Sequence, residues 1–355
     1  MIASIGQAVK GLRLYNAGSR SRAVRPPIPA LRALKSSEHF PAIADELEAV
    51  DRVIRARLQS EVALVNAVSS YIIEAGGKRL RPTLVLLFAR ALGYRGEHHR
   101  LLAAVVEFIH TATLLHDDVV DESDLRRGRS TANAAFGNAA SVLVGDFLYS
   151  RAFQMMVEPG LPRVMQVLSD ATNVIAEGEV LQLMNCNDPD VDEPRYLQVI
   201  RYKTAKLFEA AAQLGAILAG AAPEVEAAAA EYGRRLGTAF QLVDDVLDYD
   251  GVTEDIGKNV GDDLREGKPT LPLIRVMATG TDAERVLVRE AIVQGHTGHF
   301  DTIMAAIRRT DALDYTRKMA AIEAQAALDA VSMLPPSQFK DMLLYLPTFA
   351  IQRDR

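Results

Sequence analysis

The sequence predicts an all-α fold, one large helical bundle around a central active-site cavity, and three observations lead there. Apolar residues recur every three or four positions through one long stretch after another. Of the 355 residues 49% are hydrophobic, and no Gly/Ser- or Pro-rich linker divides the chain after residue 38, which fits a single large core. Two acidic clusters, far apart in the chain, each close a helical pattern and lie among apolar residues. Helix ends of that kind, facing one another across a bundle, would enclose a charged pocket.

Residues 1–37 stand apart. Lys10, Arg13, Arg20, Arg22, Arg25, Arg32 and Lys35 occur there without a single acid, and Pro26, Pro27 and Pro29 break any helix. No sustained apolar run marks a secretory signal. Two readings stay open: a disordered basic tail, which could rest on anionic lipid, and a mitochondrial transit peptide. Residues 38–355 form the folded domain. The net charge of −6 argues against a nucleic-acid partner. The single cysteine, Cys186, rules out an internal disulfide and suits a reducing, cytoplasmic setting. No apolar run is long enough to span a membrane.

From Leu47 to Ile72 the apolar positions describe one long amphipathic helix, which Gly76-Gly77 should stop. Lys78, Arg79 and Arg81 follow, with Pro82 in the first turn of the next helix. Cations beside the free N–H groups of a helix start make an anion site.

The helix over Glu107–Asp121 carries the first acidic cluster. Asp117 and Asp121 are four apart and share a face, and Asp118 is adjacent. Three carboxylates repel one another at the negative end of a helix dipole, so a cation should neutralise them. Oxygen ligands supplemented by water or phosphate suit Mg²⁺. Arg126 and Arg127 follow as planar, permanently charged groups for phosphate oxygens. Glu107 and His110 also have the spacing of a di-iron carboxylate bundle, but no other histidine follows a Glu by three, so that reading fails.

Asn138–Val157 is nearly all apolar and predicts a helix buried on most sides. Helices over Val164–Met184 and Tyr196–Gly220 flank the turn-rich Asn185–Pro194. A helix from about Glu224 ends in the second cluster, where Asp244 and Asp248 share a face beside Asp245. Lys258 and Lys268 flank the acidic, Gly-rich GDDLREG, which reads as a flexible lid. From Thr281 the chain continues as generic helical packing, and the terminal arginines Arg353 and Arg355 could reach the site.

These motifs together resemble the trans-isoprenyl diphosphate synthases, in their long-chain, octaprenyl-type branch. The likeness runs from about residue 38 onward through GGKRLRP at Gly76–Pro82, LLHDDVVDESDLRRG at Leu114–Gly128, KTA at Lys203–Ala205, FQLVDDVLD at Phe240–Asp248 and GKNVGDDLREGKPTLPL at Gly257–Leu273. The resemblance implies the isoprenoid-synthase helical bundle and a homodimer. It implies that Mg²⁺ held by Asp117, Asp121 and Asp244 activates an allylic diphosphate, with Asp118, Asp245, Asp248 and Lys203 in the catalytic machinery. Arg126, Lys203, Thr204, Gln241, Lys258 and Lys268 would bind that diphosphate. Lys78, Arg81, His110 and Arg127 would bind isopentenyl diphosphate. Ala112 and Thr113, about 6 to 8 Å before Asp117 along the helix, leave a product tunnel open to a long chain, of octaprenyl to decaprenyl size for a quinone side chain. Phe153 and Met156 are candidates for its floor. The nearer alternatives are a farnesyl or geranylgeranyl synthase and a non-catalytic subunit of a two-component synthase. A class I terpene cyclase would need Asn, Ser and Glu in its second metal motif, which Asp244-Asp245 with Asp248 does not supply.

Overall fold

A computed structural model describes residues 40–74, 76–126, 128–250, 261–295 and 298–352. Those residues are almost wholly helical, and the strands among them form one two-stranded hairpin. The expectation of an all-α bundle holds. Arg127 and Lys258, expected to bind diphosphate, lie outside the described residues, as do residues 1–37 and the terminal arginines Arg353 and Arg355.

The bundle begins with α1 (Ala44–Arg57) and α2 (Ala63–Glu74). One continuous helix was expected here, and the structure divides it. Ser60 and Asn66 tie off the break: the Ser60 N–H donates to Asn66 Oδ1 at 3.0 Å, and Asn66 Nδ2 donates back to the Ser60 carbonyl at 2.7 Å. Apolar spacing alone does not register such a break, because the period resumes after it. Then come α3 (Leu80–Ala91) and the long α4 (His98–Val120), almost entirely buried through the middle. A hairpin, β1 (Leu125–Arg126) with β2 (Arg129–Ser130), leads into α5 (Ala132–Phe136) and α6 (Asn138–Met156). Next are α7 (Pro162–Asn185) and α8 (Glu193–Ile200). A π-helical turn, Arg201–Ala205, joins α8 to α9 (Lys206–Leu218). The chain continues with α10 (Pro223–Asp250), α11 (Asp262–Arg265), α12 (Leu271–Thr279), α13 (Asp282–Gln294), α14 (Phe300–Arg309), α15 (Ala312–Ala330) and α16 (Gln338–Ile351).

Helices α3, α4, α9 and α10 supply the centre of the core. Phe88 meets Tyr232 edge to face at 5.3 Å, and the Tyr232 hydroxyl, fully buried, donates to the Leu343 carbonyl at 2.6 Å. That bond satisfies a polar group in an apolar interior and ties α16 to α10. A smaller core under α11–α14 includes Leu264, Leu273, Val288 and Ile303. The segment read as a flexible lid therefore contains a short helix with Leu264 fully buried.

One expectation about burial is corrected. Helix α6 is not buried on most sides: Val142, Leu143 and Phe153 are exposed, as are Met165, Val180, Leu183 and Met184 on α7. Apolar composition predicts that a surface is covered, but not by which chain.

Candidate active site

Helix α4 gives out at Val120, and Asp121 closes it by donating its N–H to the Asp117 carbonyl at 2.8 Å. Asp117 and Asp121 are one turn apart and keep 15% and 17% of their side-chain surface exposed. Their counter-charges are lysines from distant segments. Lys203 Nζ lies 3.6 Å from Asp117, and Lys268 Nζ donates to Asp121 at 2.8 Å. Burial acts to lower both ammonium pKa values, but the surrounding carboxylates prevail and both rise. The cation inferred from the sequence is thus supplied, in part, by the chain itself.

Asp118 points elsewhere. It is 1% exposed and accepts from Arg126 Nε at 2.8 Å, with Arg126 Nη2 at 2.7 Å. Burial pushes its pKa up, against the pull of the guanidinium. Arg126, expected to clamp phosphate, pairs with Asp118 in the ligand-free chain and so links the β1–β2 hairpin to the end of α4. Asn133 adds a bond to the Asp118 carbonyl at 3.0 Å.

The π turn joins the two clusters. Two helices grip it closely: a Cβ at Gly178 on α7 would lie 2.5 Å from the Lys203 nitrogen, and one at Gly237 on α10 would lie 2.6 Å from Ala205 Cα. Held there, neighbouring residues face different clusters. Lys203 reaches Asp117, and the Thr204 hydroxyl donates to Gln241 Oε1 at 3.1 Å. Gln241 Nε2 in turn donates to Asp245 Oδ1 at 2.9 Å. The extra residue of a π turn re-aims side chains at functional sites, and this one aims two adjacent side chains at two acidic helices.

In the second cluster Asp244 is half-buried, whereas Asp245 and Asp248 are 2% and 0% exposed. Asp245 accepts from the Tyr196 hydroxyl at 2.5 Å, and Asp248 Oδ2 accepts from the Asp263 N–H at 3.3 Å. Burial first, then the nearby Asp263, pushes the Asp245 carboxyl well above the usual range. Asp244 is therefore the member of this cluster placed to meet a ligand.

The basic segment at the start of α3 divides as well. Arg79, in a left-handed conformation, pairs with Glu107 and, at 3.4 Å, Asp51. Lys78 and Arg81 instead lie over aromatic rings, Lys78 6.0 Å from Phe240 and Arg81 4.3 Å from Phe208. Phe208 and Phe240 are 5.6 Å apart, so the segment is seated on α9 and α10 beside Gln241. His110 is half-buried on α4, three residues beyond Glu107. Ala112 is fully buried, and Thr113 returns its hydroxyl to the His110 carbonyl at 2.8 Å. Met156 is buried, but Phe153 is 43% exposed, so in the single chain it floors no enclosed tunnel.

Sequence reasoning missed Glu179, Tyr149 and Tyr196. Glu179 on α7 accepts from Lys203 Nζ at 2.5 Å, and burial together with Asp117 raises its pKa to about 7. Tyr149, half-buried near Glu179 and Asp117, is pushed up to about 12 by desolvation and by those carboxylates. The available signal was Gly178 inside a 24-residue helix, which marks a close crossing next to Glu179.

Among the described residues no three His, Cys, Asp or Glu side chains stand close enough to enclose an ion. Magnesium, however, is commonly held by one or two carboxylates and completed by substrate phosphate. Asp117 and Asp121, part-exposed and already drawing ammonium groups, fit that arrangement.

An α-helical bundle with two carboxylate clusters, the first met by lysines from distant segments and linked to the second through a π turn, suits an enzyme that handles a metal-bound diphosphate. Comparison with known proteins narrows it. The family model for polyprenyl synthetase matches residues 62–308. Octaprenyl diphosphate synthase of Escherichia coli (strain K12) is 55% identical over 88% of this chain and 97% of its own. The all-trans-nonaprenyl-diphosphate synthase (geranyl-diphosphate specific) of Rhodobacter capsulatus is 46% identical over 88% of this chain and 96% of its own. A polyprenyl synthase from Caulobacter crescentus CB15, solved with calcium and isoprenyl diphosphate, superposes with a TM-score of 0.87 at 44% identity, covering 90% of this chain and 98% of that one. The chain belongs to the polyprenyl synthetase family. Within it, this protein is a prenyltransferase of the long-chain trans-polyprenyl diphosphate synthase type.

Proposed function

We propose that the protein adds isopentenyl diphosphate, head to tail and repeatedly, to an allylic diphosphate, yielding a product of octaprenyl to decaprenyl length. The observation that carries this reading is the π turn, where Lys203 reaches Asp117 of the first cluster and the adjacent Thr204 connects through Gln241 to Asp245 of the second. Asp117, Asp121 and Asp244 would hold Mg²⁺, which when bound supplies Lewis-acid polarisation of the leaving diphosphate. Lys203 and Lys268 would give up carboxylate for diphosphate oxygens and stabilise the charge that grows as the C–O bond breaks. Lys78, Arg81 and His110 would hold isopentenyl diphosphate with its double bond toward the allylic cation. A new C–C bond forms, and the proton lost passes to the departing diphosphate. Water would quench the cation, so the apolar side chains around α4 serve to exclude it.

The octaprenyl and nonaprenyl activities of the relatives support the long product, as does the small, buried Ala112. The apolar row on α6 and α7, including Leu143 and Met184, supports a homodimer through that face. No helix among the described residues is long and apolar enough to cross a membrane. A cytoplasmic enzyme, peripheral at the membrane where its water-insoluble product is used, fits these features.

Incubation with labelled isopentenyl diphosphate, a farnesyl primer and Mg²⁺, followed by product mass, tests the reading. A ladder ending at a long polyprenyl diphosphate is expected; absence of elongation by the purified chain would refute it. In the same assay Ala112→Phe should shorten the product, and unchanged length would move the stopper elsewhere.

A further inference from the structure

The turn after α7 contains a residue that the reaction scheme leaves unused. Asn187 has φ of 60°, a left-handed conformation that Asn tolerates better than most residues. It stands directly past Cys186, the cap of α7. A left-handed Asn in that place ordinarily gives its N–H to carbonyls of the helix it ends. Here the N–H donates to the Gly267 carbonyl at 2.8 Å, and side-chain Nδ2 donates to the Ile292 carbonyl at 2.9 Å. Both acceptors belong to other segments: Gly267 directly precedes Lys268, and Ile292 lies in the last turn of α13.

The junction is tight. A Cβ at Gly267 would lie 2.3 Å from Asn187 Nδ2, and one at Gly295, which caps α13, would lie 3.4 Å from the same nitrogen. From this junction Lys268 departs toward the first cluster. Its N–H donates to the Asp263 carbonyl at 2.8 Å, and its ammonium reaches Asp121 at 2.8 Å. Asn187 itself is exposed, and its Nδ2 also lies 3.4 Å from the Val293 carbonyl, so its value lies in its hydrogen bonds rather than in packing.

We propose that Asn187 is a positioning residue: it anchors Gly267 and thereby sets the reach of the Lys268 ammonium to the Asp121 side of the diphosphate site. This rests on the reading of Lys268 as a diphosphate-binding residue. A double-mutant cycle in the full chain tests it with Asn187→Ala, Lys268→Ala and both together. Asn187→Ala should lower kcat/KM for the allylic diphosphate roughly tenfold to a hundredfold, the scale of a misplaced binding group. In the Lys268→Ala background the same change should cost less than about twofold, because the residue through which it acts is gone. Asn187→Gly keeps the left-handed turn and the N–H but loses the side-chain bond, so its loss should be smaller. It also serves as the test variant if Asn187→Ala fails to fold. An equal fold-loss in both backgrounds would overturn the positioning role. A Lys268→Ala enzyme with unchanged kcat/KM would instead overturn the reading of Lys268, and the proposal with it.

Discussion

The two acidic clusters look interchangeable as sequence, yet the fold treats them differently. At the end of α4, Asp117 and Asp121 remain reachable and meet lysines from two distant segments, while Asp118 is sealed beneath Arg126. On α10 only Asp244 remains half-exposed; Asp245 and Asp248 are buried and accept from a tyrosine hydroxyl, a glutamine amide and a backbone N–H. The first cluster meets cationic partners, whereas Asp245 in the second accepts from the neutral Tyr196 and Gln241. An acid in such a motif can therefore be a candidate ligand or an internal brace, and its solvent exposure separates the two.

The sharpest way to break the comparison is to remove one candidate ligand from each side. Asp117→Ala and Asp244→Ala should each lower turnover on the order of a thousandfold while circular dichroism stays native. Near-normal turnover in either would remove that residue from the site. The braces should behave in the opposite way. Arg126→Ala strands the buried Asp118 and should cost roughly 2 kcal/mol in denaturant unfolding, below the value for a fully buried pair because Arg126 is about a third exposed. Tyr196→Phe deprives Asp245 of one of its donors and should cost about 1 kcal/mol. An unchanged midpoint for either variant would count against a bracing role.

The smallest effect concerns pH. Burial and Asp117 raise Glu179 from 4.5 to about 7, so the folded state holds this proton more tightly than the unfolded chain. The resulting stabilisation is complete below pH 4.5 and is lost as pH rises through about 7. Glu179→Gln should flatten the fall in Tm between those values for the ligand-free, metal-free enzyme, and an identical slope would show that Glu179 is not its source.

Much of this was legible in the residues. The period of apolar side chains predicts the helices, and the spacing of Asp117 with Asp121 and of Asp244 with Asp248 puts each pair on one face. The break at Ser60 was not legible, since two helices in series keep the apolar rhythm of one. Nor was the commitment of Arg126 to Asp118, because a basic residue after an acidic motif reads equally as a ligand clamp and as a structural counter-ion. The surroundings of Phe153 were not legible for a related reason: its hydrophobicity requires cover, but does not say whether a tunnel or a second surface provides it.

By itself, then, the sequence determined the helical class, the two carboxylate-bearing faces and the supply of lysines and arginines able to answer them. These follow from periodicity and charge, which act over a few residues. Only the tertiary structure decided which carboxylates remain open, which cations stand beside them, and that a π turn gripped at Gly178 and Gly237 aims Lys203 and Thr204 at different helices. Those outcomes depend on close contacts between segments remote in the chain, and no local pattern encodes such distances.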